Sequence, residues 1–296
     1  MRSMLRKYNK DFWMNALLFS PGFLFYLAFM LLPIAITLYF GFFNWDGISR
    51  SYDFVGLSNY AEALQDKQFH QSTKVTVFIT VVSTVLINVL GILFAVLLNK
   101  KGRITNFYRS VFFFPLLLSP VVVGFLWKAI LNYNGIVNSL LADLGMGKIE
   151  FLGNPRLALY TITAIGIWQS LGFVIVLYLA GLQNIPGELY EAAKIDGASR
   201  WQEFRNVTFP LLAPAMTMCV VFIFTFTMRE YDRVAVLTYG GPAGSTETLA
   251  YTIVRLGFSA NRFSYASSMA ILMMIMVGVV SVLLTVILRK REERAL

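Results

Sequence analysis

Charge is scarce in this chain. Only 14% of its 296 residues are Asp, Glu, Lys or Arg, against about 25% in soluble domains. With 57% hydrophobic residues, that shortage excludes an ordinary soluble fold and makes a membrane protein the starting expectation. Cysteine is equally scarce: Cys219 is single and lies inside an apolar run, which excludes an intrachain disulfide and fits a small buried hydrophobe. The one histidine, His70, has no ligand spacing with that cysteine, so no metal site is expected. No GxxxxGK[ST] stretch occurs; Lys148 in "GMGKIE" lacks both the following Ser/Thr and the upstream glycine spacing, so the chain carries no phosphate-cradling loop of its own. A Ser/His/Asp constellation is missing as well, and no catalytic residues are expected. The net charge of +9 comes from basic residues flanking apolar runs, a pattern of topology and anionic lipid rather than nucleic acid.

What is present is a series of long apolar segments. A helix needs about 20 apolar residues to cross a bilayer, and segments near 16–43, 75–98, 107–131, 157–182, 208–228 and 266–288 qualify. They are continuous rather than alternating, so helices are favoured over a barrel. The expected fold class is all-α: a polytopic membrane helical bundle of six transmembrane helices forming one domain over residues 1–296. The basic start "MRSMLRKYNKDFW" resembles a signal peptide. The apolar run after it is too long and ends without a small-residue cleavage site, so it is expected to be a retained first helix.

Lys and Arg set the orientation. With the N-terminus inside, the inner segments hold Arg2, Arg6, Lys7 and Lys10, then Lys100, Lys101, Arg103 and Arg109. Lys194, Arg200 and Arg205 follow, and the tail adds Arg289, Lys290, Arg291 and Arg294. This bias places both termini in the cytoplasm. Pro21, Gly22, Pro33, Pro115, Pro120 and Pro214 interrupt the spans. Such breaks are tolerated where neighbours or a wet cavity satisfy the freed carbonyls, so they suggest a bundle around a pathway.

Ionisable residues are nearly absent from the spans. Lys128 sits near an outer end, and Arg229 and Glu230 follow the fifth span. That scarcity argues against the proton relays of secondary transporters. Uncharged polar groups do reach mid-span: Asn88 in the second, and Trp168, Gln169 and Ser170 in the fourth. They could bind an uncharged polar solute, with Trp168 stacking on a sugar ring, or they could be hydrogen-bonded glue between helices. The outer stretch from about 229 to 265 turns at "YGGPAGST". Leu249, Ile253 and Leu256 then recur at helical spacing, so an amphipathic helix is expected there. Arg229 and Arg233 are placed near the outer mouth.

One hydrophilic insert stands out, in the loop at about 183–207 between the fourth and fifth spans. "YEAAKIDGASRWQEFRNVTFP" is rich in helix formers interrupted by Gly197. It predicts two short helices with a bend at that glycine, on the cytoplasmic side; a helix resting on lipid headgroups is the plainer alternative.

This insert resembles the EAA loop of bacterial ABC-importer permeases. Glu191, Ala192 and Ala193 are followed by Gly197, then Val207 at the aliphatic position and Pro210 at the proline, with Phe209 replacing the usual leucine. "RSVFFFPLLLSPVVVGFLWKAIL", "LAGLQNIPGELYEAAKIDGAS" and "LTYGGPAGSTETL" look like the carbohydrate-uptake, MalF/UgpA-like branch on a MetI/MalF-type permease core. The resemblance implies a non-catalytic permease of the bacterial cytoplasmic (inner) membrane, paired as a heterodimer with a second homologous permease. It also implies two cytoplasmic ATPase subunits, which bind the ATP and Mg, and an external solute-binding protein. Glu191, Ala192, Ala193, Asp196 and Gly197 would form the turn that couples to the ATPase. The solute would be a sugar or oligosaccharide, with acidic oligosaccharides and glycerol phosphates left open. A stand-alone carrier or channel, or a membrane enzyme, are the alternatives from other classes.

Overall fold

The computed structural model describes residues 14–15, 17–100 and 102–295. The basic residues Arg2, Arg6, Lys7, Lys10 and Lys101, counted above for orientation, lie outside the described residues, as does Ala16. Two compact units are present: one holds residues up to Gln65 together with Ile253–Leu272, the other holds Asp66–Thr252 and the residues from Met273 on.

In the first unit, α1 (Leu17–Phe40) is apolar and long enough to cross a bilayer, and its apolar window buries nothing. After it, β1 (Phe43–Asn44) pairs antiparallel with β2 (Asp53–Phe54), Phe43 opposite Phe54 and Asn44 opposite Asp53. Asp46 shapes the connection. Its carboxylate accepts from the amides of Ile48 and Ser49 and, at 2.6 Å, from the Ser49 hydroxyl. These bonds, the hydroxyl foremost, hold its pKa down to about 2. Trp45 donates from its indole to the Ser49 carbonyl at 2.7 Å and lies 4.5 Å from the Phe40 ring and 5.3 Å from that of Phe263. In α2 (Ser58–Gln65), the Asn59 amide nitrogen satisfies the carbonyls of Gly41 and Phe43. An ion pair joins Arg262 to Glu62.

The second unit is built on α3 (Lys67–Leu98) and α7 (Pro155–Gln183). Asp66 caps α3 by accepting from the Gln68 amide, so the helix starts two turns before the apolar segment expected at 75. Polar residues that an apolar window passes over still wind into helix once a cap starts it. Asn154 caps α7 in the same way with Pro155 at its first position. The two helices meet where Gly91 leaves room: a Cβ there would come within 2.6 Å of Val174 and 3.3 Å of Tyr178. Ile87, Val174, Ile175, Tyr178, Leu212, Cys219 and Ile223 form the core around this contact.

The third expected span is not one continuous helix. It divides into α4 (Arg103–Phe113), which tightens to Leu117, and α5 (Pro120–Ile130), and the two halves meet at 100°. Pro115 and Pro120 lack amide donors, Leu118 is extended, and Ser119 caps α5 by accepting from the Val122 amide. The expected kink is therefore a full break. After α5 come α6 (Ile136–Asp143) and a loop pinned by fully buried Asn138, which donates to the carbonyls of Asn132 and Ile149. The fifth segment also bends, by 65°, between Arg200–Leu211 and α10 (Ala213–Thr227). The last helix runs from Phe263 to Ala295, longer at both ends than the expected 266–288.

Candidate coupling elbow and buried polar site

The insert forms two helices, α8 (Gly187–Ile195) and α9 (Arg200–Glu203), the second continuing through a widened turn at Phe204–Thr208 to Leu211. The bend between them is closed by local bonds. Gly197 has φ +75, a left-handed conformation that costs other residues strain. Its amide donates to the Lys194 carbonyl at 3.1 Å, and the Ala198 amide donates to the Ala193 carbonyl at 2.9 Å. This pair of bonds is the helix-terminating Schellman motif. Two residues on, Ser199 and Gln202 exchange side-chain bonds with each other's backbone as a capping box that starts α9. The root is fastened by the Tyr190 hydroxyl, 3.2 Å from that of Thr208, and by the packing of Ile185, Tyr190, Val207 and Leu211 on the core.

The tip is bare. Glu191, Ala192, Asp196 and Gly197 are exposed and Ala193 is half-buried. Nothing approaches within 4 Å of a Cβ built on Gly197. Ile195 is 85% exposed and Trp201 67%, which places large apolar side chains on the surface beside the acidic ones.

A second constellation lies within the bundle. After α10 the chain turns back, and α11 (Asp232–Leu237) buries Val234 and Leu237 against Val123, Ile162 and Ile165. This carries Arg233 inward. Arg233 and Glu230 are 3% and 6% exposed and form an ion pair. Nη1 of Arg233 also donates to Gln169 Oε1 at 3.0 Å. Gln169 in turn donates from Nε2 to the Leu118 carbonyl at 2.9 Å, so its amide satisfies backbone freed at the α4–α5 break. Gly166 makes the space: a Cβ there would come within 3.2 Å of the guanidinium carbon. Thr248 donates to the Glu230 carbonyl at 2.6 Å.

Beside this network is a cavity of about 430 Å³ with Gln169, Ser170, Phe173, Phe222, Phe226 and Arg233 in its wall. An adjoining cavity of about 310 Å³ shares Pro120, Phe226 and Arg233 with it and adds Arg229, Glu230 and Asp232. Aromatic walls with a few convergent polar groups suit a small polar solute that has apolar faces.

Of the four mid-span residues, the structure brings Gln169 and Ser170 to this cavity. Asn88 is elsewhere: it is buried, accepts from the Tyr178 hydroxyl at 2.6 Å and donates to the Thr84 carbonyl at 2.7 Å. The first bond joins α3 to α7, the glue alternative, and the second stays within α3. Trp168 is half-exposed and meets Trp127 edge to face, without lining the cavity. Arg233, expected near the outer mouth, is buried against the midpoint of α7 and held there by Gln169 and Glu230. The scarcity of charge inside the bundle is also relieved by this pair, whose opposite signs cancel. Glu230 and Arg233 stand at helical i, i+3 spacing in "REYDR", the one signal that could have paired them.

Residues 87–294 match the family of binding-protein-dependent transport system inner membrane components. The chain is 33% identical over 290 residues to the multiple sugar-binding transport system permease protein MsmF of Streptococcus mutans, covering 97% of this chain and 99% of that one. It is 32% identical to the probable starch degradation products transport system permease protein AmyD of Thermoanaerobacterium thermosulfurigenes, covering 93% and 94%. Its fold is similar to a chain of a bacterial ABC transporter involved in the import of the acidic polysaccharide alginate. That likeness has a TM-score of 0.84 at 22% identity and covers 97% of this chain and 99% of the other.

Proposed function

We propose that this chain, which belongs to the family of binding-protein-dependent transport system inner membrane components, forms half of the translocation pathway for a sugar or oligosaccharide. It is a multi-pass permease of the ABC-importer type and not itself a catalytic subunit. The other half of the pathway is a second, homologous permease. Two cytoplasmic ATPase subunits bind ATP and Mg²⁺, and an external binding protein delivers the solute, with both termini of this chain in the cytoplasm. The names of the relatives, which speak of multiple sugars and starch degradation products, support the sugar assignment, and the bare tip of the elbow supports the ATPase contact.

The single observation that carries this reading is the elbow: a locally closed bend with an exposed tip, rooted in the core by Tyr190 and Val207. Ala192 and Ala193 allow close approach, Glu191 and Asp196 offer carboxylates to basic groups on a partner, and Gly197 sets the angle. When the ATPases close, the docked elbow moves α10 through its root. A few kcal/mol of differential docking is enough to shift such a two-state equilibrium. The solute is held beside Gln169 and Ser170, its apolar face on Phe173, Phe222 and Phe226.

The test is uptake by the assembled transporter in proteoliposomes. Gly197→Trp and Glu191→Lys should insert normally and lose solute-stimulated uptake by at least tenfold. Unchanged uptake in either variant would remove the coupling role.

A further inference from the structure

The EAA-like stretch departs from its usual pattern at Phe209, and the structure gives that ring a partner. Arg291, near the end of the long C-terminal helix, places its guanidinium carbon 4.9 Å from the centre of the Phe209 ring. Phe209 lies 6.0 Å from Phe204, and Phe204 stacks on Trp201 at 5.7 Å with 28° between the planes. Three rings and one cation thus make a continuous ladder. It begins at the exposed Trp201 beside the elbow tip, runs along the widened turn Phe204–Thr208 and ends on the C-terminal helix. A leucine at 209 would break the ladder between Phe204 and Arg291, since it offers no π face to either neighbour.

The ladder crosses the place where the elbow is least regular. The turn at Phe204–Thr208 and the 65° bend that follows are points where a lever would flex. Along α10 beyond the bend runs a groove of about 600 Å³ with Pro214, Met218 and Phe222 on one side and Arg289 and Glu292 on the other. One wall therefore belongs to the C-terminal helix, which the ladder ties to the elbow, and the other to α10, on the far side of the bend.

We propose that Phe209 and Arg291 are positioning residues that make the elbow and the end of the C-terminal helix move as one body, so that a displacement of the elbow changes the width of the groove between α10 and that helix. The link to transport rests on the docking role proposed above; the mechanical link does not.

The experiment measures the mechanical link directly. Nitroxides are placed through Arg200→Cys and Glu293→Cys, both exposed positions, in a Cys219→Ala background of the complete transporter in nanodiscs. Electron–electron resonance then gives the distance distribution between them. We expect one narrow distribution, at least twofold broader in Phe209→Leu and in Arg291→Gln, no broader in the double variant than in either single one, and narrow again in Phe209→Tyr. Widths unchanged in both single variants, or broadening that adds up in the double variant, would overturn the proposal. Uptake per ATP hydrolysed is measured alongside and should fall about threefold in both single variants while the ATPase rate stays within twofold; unaffected uptake would overturn the transport link. A Gly197→Trp variant that still transports would remove the docking role and leave the distance result to decide the ladder.

Discussion

Gln169 Oε1 accepts from Arg233 Nη1 at 3.0 Å, joining residues 64 positions apart at the middle of α7. The bond places a charged group deep in a bundle otherwise poor in charge, and the same guanidinium is neutralised by Glu230.

Removing one member of that pair strands the other. Arg233→Leu is expected to destabilise the protein by about 3–5 kcal/mol, because an uncompensated buried carboxylate is left behind. Gln169→Leu should cost less, about 1–3 kcal/mol, the penalty of an unsatisfied buried donor and the freed Leu118 carbonyl. Thermal unfolding in detergent ranks the two; equal costs would mean that the amide, not the ion pair, organises the site.

Gly197 separates shape from docking. Its φ of +75 with open space around it means that Gly197→Ala meets only backbone strain, about 1–2 kcal/mol, and Gly197→Asn less, since Asn tolerates that conformation. Transport should therefore survive Asn better than Ala and fail with Trp, whose bulk matters only where a partner approaches. Equal transport in the Ala and Trp variants would contradict this order.

Asn88 should behave as a structural residue. Tyr178→Phe removes its 2.6 Å bond and is expected to cost about 0.6–2 kcal/mol, the range for a hydrogen bond between membrane helices, without changing which solute is taken up. A shift in solute preference in Asn88→Leu, assayed by competition for uptake, would instead place Asn88 in the pathway.

Asp46 gives a pH signature. Its folded pKa, about 2, lies below the usual carboxylate value near 4. Its bonds therefore contribute fully above pH ~4 and are lost as pH falls through about 2. Carboxyl carbon NMR of the labelled side chain should show a midpoint near pH 2, and Ser49→Ala should raise it. A midpoint near 4 would mean that the bonds to Ser49 do not form.

The elbow was legible in the sequence because its determinants are local. Gly197, Ser199 and Gln202 sit within six positions, and each performs the backbone task its chemistry suggests. The Asn88–Tyr178 bond was not legible, since its members are 90 positions apart and either could have faced a cavity. Arg233 defeated the sequence for another reason. "REYDR" follows an apolar span and has the composition of a surface loop, and only the packing of Val234 and Leu237 turns it inward. Pro115 and Pro120 announced an interruption but not its 100° angle, which depends on the extended Leu118 between them.

The bonds that set the angle of the elbow all close between Ala192 and Glu203. None of them reaches into the bundle, so the angle is carried by a dozen consecutive residues, even though Tyr190, Val207 and Phe209 fasten the piece to its surroundings. A bend closed by its own backbone keeps its angle when its exposed side chains are exchanged, so Glu191, Ile195 and Trp201 are free to vary without refolding it.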